Sequence, residues 1–104
     1  MEEREKMLKN EYFVFTGTLT TMTRKQAQFI IEGVQGNFQN SVTRKTTRIV
    51  MGDFPIDLLK GYSPSQKIVD GRKAIESGQK LIIMNEKEFL EFLTQFFNLL
   101  SKGL

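Results

Sequence analysis

Three short runs of uninterrupted apolar residues, Tyr12-Phe13-Val14-Phe15, Ile49-Val50-Met51 and Leu81-Ile82-Ile83-Met84, constrain this chain more than any other feature. Each is strand-length and rich in β-formers, and none alternates with polar residues, the pattern of strands covered on both faces. Between them lie segments with helical periodicity. Thr23 reads as an N-cap, and Ala27, Ile30, Ile31 and Val34 follow at i, i+3, i+4 and i+7, predicting a helix over 24–34. Gly33 and Gly36 bracket its end and permit a tight exit. Residues 37–42 form a weak strand around Phe38, and the basic connection Ser41-Val42-Thr43-Arg44-Lys45-Thr46-Thr47-Arg48 leads to the next apolar run. Residues 53–65 hold both prolines, so they read as the longest loop. Ser63 or Ser65 then caps a helix over 66–77 with Gly78 as its terminating glycine, and Asn85 caps a last helix with Glu86 and Glu88 in its first turn. The order β-α-β-β-α-β-α predicts an α/β fold of three layers, a parallel sheet with helices on both faces. Residues 1–10 read as a polar arm outside the core, 11–101 as one domain and 102–104 as a tail.

Composition removes most chemistries. With no Cys and no His, the chain has no thiol catalysis, no disulfide, no His-based triad and no zinc site of the usual ligands. Scattered carboxylates such as Asp53 and Asp57 lack the clustering of a metal site. No Walker loop is present, and Thr16-Gly17-Thr18 lacks the later glycines of a dinucleotide turn. Lys67-Ile68-Val69-Asp70-Gly71 resembles the nucleotidyl-transfer lysine motif of ligases, but its spacing is one residue too long and 104 residues cannot hold that domain. The expectation is a chain without catalytic residues, metal or cofactor. No apolar run approaches the ~20 residues of a membrane span, and the charged start is no signal peptide, so a cytoplasmic protein is expected. A net charge of +3 favours anionic partners without naming one.

An anion site can be drawn without catalysis. Thr16 and Gly17 leave the carboxyl end of the first strand, where open α/β sheets bind ligands. A hydroxyl and an unobstructed glycine N–H suit a phosphate oxygen. Arg24 opens the following helix, and Lys67 lies in the first turn of the helix that begins at the same sheet edge. The other reading of the same residues is local: Thr16 caps a turn, Gly17 fits a positive φ, and the two cations are solvated.

Phe13-Val14-Phe15-Thr16-Gly17-Thr18-Leu19 followed by Met22-Thr23-Arg24-Lys25-Gln26-Ala27 resembles the opening of a BRCT domain, specifically the subclass of bacterial NAD-dependent DNA ligases and the large subunit of replication factor C. The likeness continues through Gly36-Asn37-Phe38, the run from Ser41 to Gly52, Ser65-Gln66-Lys67, Gly78-Gln79-Lys80-Leu81-Ile82-Ile83 and Glu86-Lys87-Glu88-Phe89-Leu90-Glu91-Phe92-Leu93. It covers about residues 11–94. The resemblance implies a four-stranded parallel sheet of order 2-1-3-4, with the first and third helices on one face and the second on the other. It also implies a phosphate pocket built from Thr16, Gly17, Arg24 and Lys67. Three departures stand out: the usual Gly-Gly turn is Gln35-Gly36, the Trp of the third helix is Phe89, and the 52–65 loop is longer, as in modules appended to bacterial exonuclease-type proteins.

The implied function is a DNA-binding module of a replication or repair protein that recognises a terminal 5′-phosphate, a nick or a junction, associated with the nucleoid when bound. Arg44, Lys45, Arg48 and Lys9, with Arg4 and Lys6 of the arm, would add backbone contacts, while Glu2, Glu3 and Glu5 offset the arm's charge. Binding of this kind is modest and falls steeply with salt. The alternative is protein interaction, through a phosphopeptide or by homodimerisation. Leu90, Phe92, Phe97 and Leu99 make the last helix apolar beyond its core stripe, to be covered either by a second copy or by Met7 and Leu8.

Overall fold

A computed structural model describes residues 8–54 and 65–104. Strand β1 (Tyr12–Thr16), helix α1 (Arg24–Gly33), strands β2 (Asn37–Gln39) and β3 (Arg48–Met51), helix α2 (Gln66–Glu76), strand β4 (Ile82–Asn85) and helix α3 (Glu86–Lys102) follow in the predicted order. The strands form one parallel sheet of order β2-β1-β3-β4. Thr16 pairs with Met51 and Met51 with Asn85, so these three residues lie side by side at the carboxyl edge.

The pleat of β1 explains why its four apolar residues carry no polar alternation. Phe13 and Phe15 point to one face, where they join Ala27 and Ile31 of α1, Val50 and Met84, and Phe89 and Leu93 of α3. Val14 points to the other, with Ile49, Leu81 and Ile68 of α2. Helices α1 and α3 thus cover one face and α2 the other. Gly71 is the point of closest approach on the α2 side: a Cβ there would run into the Cδ1 of Ile49.

The helix starts are built locally. Thr23 and Gln26 form a reciprocal capping box, as do Asn85 and Glu88, and the Ser65 hydroxyl accepts from the Ile68 N–H. The end of α1 differs from the expected glycine exit. The residue in left-handed conformation is Gln35 (φ 68°), not a glycine. Gln35 N–H donates to Glu32 O (3.1 Å) and Gly36 N–H to Ile31 O (2.8 Å), closing a Schellman turn with glutamine at its αL position. Glycine is needed one residue later, where a Cβ would lie 2.7 Å from the Ile31 side chain. Because αL costs an L-residue about 1–2 kcal/mol, Gln35→Gly is expected to raise stability by about 1 kcal/mol, seen as a higher urea midpoint at unchanged slope. A lower midpoint would show that the glutamine side chain contributes more than its backbone costs.

Two further expectations shift. Strand β2 ends at Gln39 rather than running to Val42, because Thr46 Oγ1 donates to Gln39 Oε1 (2.6 Å) and accepts from Thr43 N–H (2.8 Å), turning the chain away. Leu8 is not outside the core: it is 1% exposed and shares a hollow with Phe92, Phe96 and Leu99. The expectations for Arg4, Lys6, Met7, Asp57 and Ser63 lie outside the described residues.

Candidate phosphate site

The carboxyl edge of β1 gathers the four residues singled out for anion binding. The Thr16 carbonyl accepts from Gly52 N–H (2.8 Å), so the preceding carbonyl, of Phe15, points away from β3. Strand β2 stops level with Val14 and does not extend beside Phe15. Lys67 takes the Phe15 carbonyl instead, its ammonium donating at 2.9 Å. Arg24 donates from Nη2 to the Gly17 carbonyl at 2.8 Å. The two cations are therefore anchored on carbonyls either side of Thr16. Each spends one donor there, and among the described residues their other donors have no hydrogen-bond partner.

Gly17 turns the chain out of the strand at φ 79°. A Cβ on it would lie 2.8 Å from Gly52 O and 2.9 Å from Asp53 O, so the corner admits no side chain. The position is clamped by a two-bond bridge between Thr18 and Asp53, 2.8 and 2.9 Å. A hollow lined by Gly17, Thr18, Leu19, Met22, Thr23 and Arg24 opens beside it.

Electrostatics are consistent with an anion-poor cluster of like charge. The Lys67 pKa is lowered, first by burial and then by the neighbouring Arg24 guanidinium. A phosphate beside the ammonium would oppose the repulsion from Arg24. The Thr16 hydroxyl donates to Ser65 Oγ at 2.9 Å, and that oxygen also accepts from Ile68 N–H at 3.3 Å. Ser65 Oγ thus accepts from both the strand end and the helix start. The sequence reading treats Ser65 only as a helix cap; its contact with Thr16 spans 49 positions and has no local signal.

The remaining cations lie elsewhere. Arg48 begins β3, level with Phe13, three residues short of the Met51 that flanks Thr16. Its Nε pairs with Glu11 Oε1 at 3.0 Å and its guanidinium lies 4.1 Å over the Phe92 ring, so it ties the entry of β1 to α3 and is no exposed backbone contact. Lys45 sits over the Tyr12 ring at 5.9 Å, and the Lys9 carbonyl accepts from Asn37 Nδ2 at 2.7 Å, both at the amino edge of the sheet. Arg44 lines a separate hollow with Asp70, Lys73, Ser77 and Gln79. None of the four joins the Thr16 corner. Among the described residues no group of three or more Asp or Glu is placed to hold a metal ion, and no helix is long and apolar enough to cross a membrane.

The family model of the BRCA1 C Terminus (BRCT) domain matches residues 3–93. A DNA ligase of Persephonella marina is 35% identical over 96 residues, covering 88% of this chain and 12% of that protein. A DNA ligase of Carboxydothermus hydrogenoformans is 34% identical over 92 residues with the same coverage, and one of Aquifex aeolicus is 49% identical over 49 residues, 47% of this chain and 7% of that protein. The chain thus spans about an eighth of the length of the relatives it matches most fully.

Proposed function

The chain belongs to the BRCT family, and from that premise we propose that it is a non-catalytic module that holds DNA by a terminal phosphate. The observation that carries this reading is the convergence of Arg24 and Lys67 on the carbonyls flanking Thr16, beside a glycine that turns the chain at positive φ and packs its bare Cα against the Gly52 and Asp53 backbone. A terminal phosphate monoester carries more charge, and one more unesterified oxygen, than an internal diester. Two cations with unspent donors therefore favour a strand end over continuous backbone. Likeness to DNA ligases supports DNA as the source of that phosphate.

The test is a titration of labelled duplex with and without a 5′-phosphate, at two salt concentrations. The phosphorylated end is expected to bind more tightly. Lys67→Ala is expected to remove about 10- to 100-fold of that affinity, the size of a charge-assisted hydrogen bond, and to reduce the salt slope by about one. Thr16→Ala is expected to lose about 10-fold. Equal binding of both duplexes, unchanged by either substitution, would discard the phosphate reading.

Association of two copies through α3 is the second reading, and one observation favours it: Phe97 and Leu99 stay exposed. Leu90 and Phe92 are half-buried, so the patch is smaller than the four residues suggest. Light scattering at twice the single-chain mass would support it, and the single-chain mass would remove it.

A further inference from the structure

We propose that Glu86 is a positioning residue for the phosphate corner, acting through the loop of residues 17–23; the inference rests on the phosphate reading of that corner. Glu86 opens α3 directly after β4, two strands away from β1, and Asn85 lies about 10 Å from Thr16 across the sheet edge. The loop crosses the sheet edge toward α3, and the Glu86 carboxylate meets it at its middle. Oε1 accepts from Thr20 N–H at 2.7 Å, and Oε2 accepts from Thr21 N–H at 2.8 Å and from the Thr21 hydroxyl at 2.6 Å. Thr20 also donates from its hydroxyl to Asp53 Oδ2 at 3.3 Å. Burial alone would push the Glu86 carboxyl pKa up, but the bonds from Thr20 and Thr21 outweigh it and hold it below its ordinary value. The acceptor is thus ionised throughout neutral pH.

The loop connects Gly17 to Arg24, the two ends of the Arg24–Gly17 bond. Its first part is fixed by the Thr18–Asp53 bridge and its last residue, Thr23, by the capping box with Gln26. The stretch between would otherwise present two adjacent backbone N–H groups to water and set no path between these anchors. Glu86 gives both N–H groups one rigid acceptor on a helix that is itself packed into the core through Phe89 and Leu93. Because the capping box is independent of Glu86, α1 stays formed without it. What is lost is the placement of Arg24 and Gly17 relative to each other.

The sign of the effect distinguishes this role from a bystander charge. Removing a carboxylate near an anion site strengthens anion binding if only Coulomb forces act; a positioning residue gives the opposite. Glu86→Gln and Glu86→Ala are to be compared with the unaltered chain for affinity to 5′-phosphorylated and unphosphorylated duplex, for Tm, and for the amide chemical shifts of Thr20 and Thr21. Expected are a loss of phosphate-end preference of about 5-fold or more in Glu86→Ala, a smaller loss in Glu86→Gln, which keeps one acceptor oxygen, and amide shifts moving upfield as the bonds break. Unchanged or tighter binding by both variants, while Lys67→Ala weakens it, would overturn the positioning role alone. A loss matched in size by a variant of equal Tm deficit far from the loop would overturn it as well. If the unaltered chain shows no preference for the phosphorylated end, the underlying reading fails and this one falls with it.

Discussion

Phe89→Ala is expected to remove about 3–5 kcal/mol of folding free energy, a large part of the 5–15 kcal/mol typical of a domain. Phe89 is fully buried, and its ring meets Phe13 at 5.9 Å and Phe15 at 5.3 Å, both edge-to-face. It is the contact through which α3 grips the central strand. Truncation leaves a void between two elements that have no local reason to stay together, because β1 and α3 are some 70 residues apart in the chain. Neither the sheet ladder nor the Asn85 cap can shift to fill it. Chemical denaturation would register the loss as a lower midpoint; a change under about 1 kcal/mol would mean that the aromatic cluster is not the keystone of that face.

The second large effect is at the corner itself. Gly17→Ala is expected to cost about 2–4 kcal/mol, combining αL strain with overpacking. The obstructing atoms are the backbone oxygens of Gly52 and Asp53, held in place by the sheet and the Thr18 bridge, so nothing yields cheaply. Gly33→Ala supplies the contrast: nothing lies within 4 Å of its added carbon and its backbone is helical, so it is expected to be neutral or mildly stabilising. Because Gly17 also carries the carbonyl that anchors Arg24, its alanine variant is expected to lose phosphate-end preference even at temperatures where it stays folded. Calorimetry and the duplex titration together test both halves; full stability with full preference would show that the corner can open without consequence.

Much of this architecture was legible in the chain because it follows from local rules. Unalternating runs marked the buried strands, and Thr23, Ser65 and Asn85 marked helix starts through their short polar side chains. The family resemblance supplied the strand order, while the four corner residues follow from where the first strand ends and two helices begin. Where local rules ran out, the reason is tertiary. The glycine pair in 33–36 suggested a glycine exit, but the αL position fell on Gln35 because Gly36 was needed for its missing Cβ against Ile31. Arg48 belonged by sequence to a basic connection, yet a carboxylate and an aromatic ring from distant segments claimed it. Glu86 read as a helix-end charge; its bonds to Thr20 and Thr21, some 65 positions away, depend on β4 lying two places from β1.

Between the fourth strand and the last helix there is no connecting residue at all. Asn85 is at once the final rung of the ladder with Met51 and the cap of α3. One extra residue at that seam would turn the helix by about 100° about its axis, swinging Phe89 and Leu93 toward solvent and carrying Glu86 away from its threonines. Length variation in homologous chains should therefore be rare at this junction. The helix behaves as a fixed spoke whose bearing is set by the sheet.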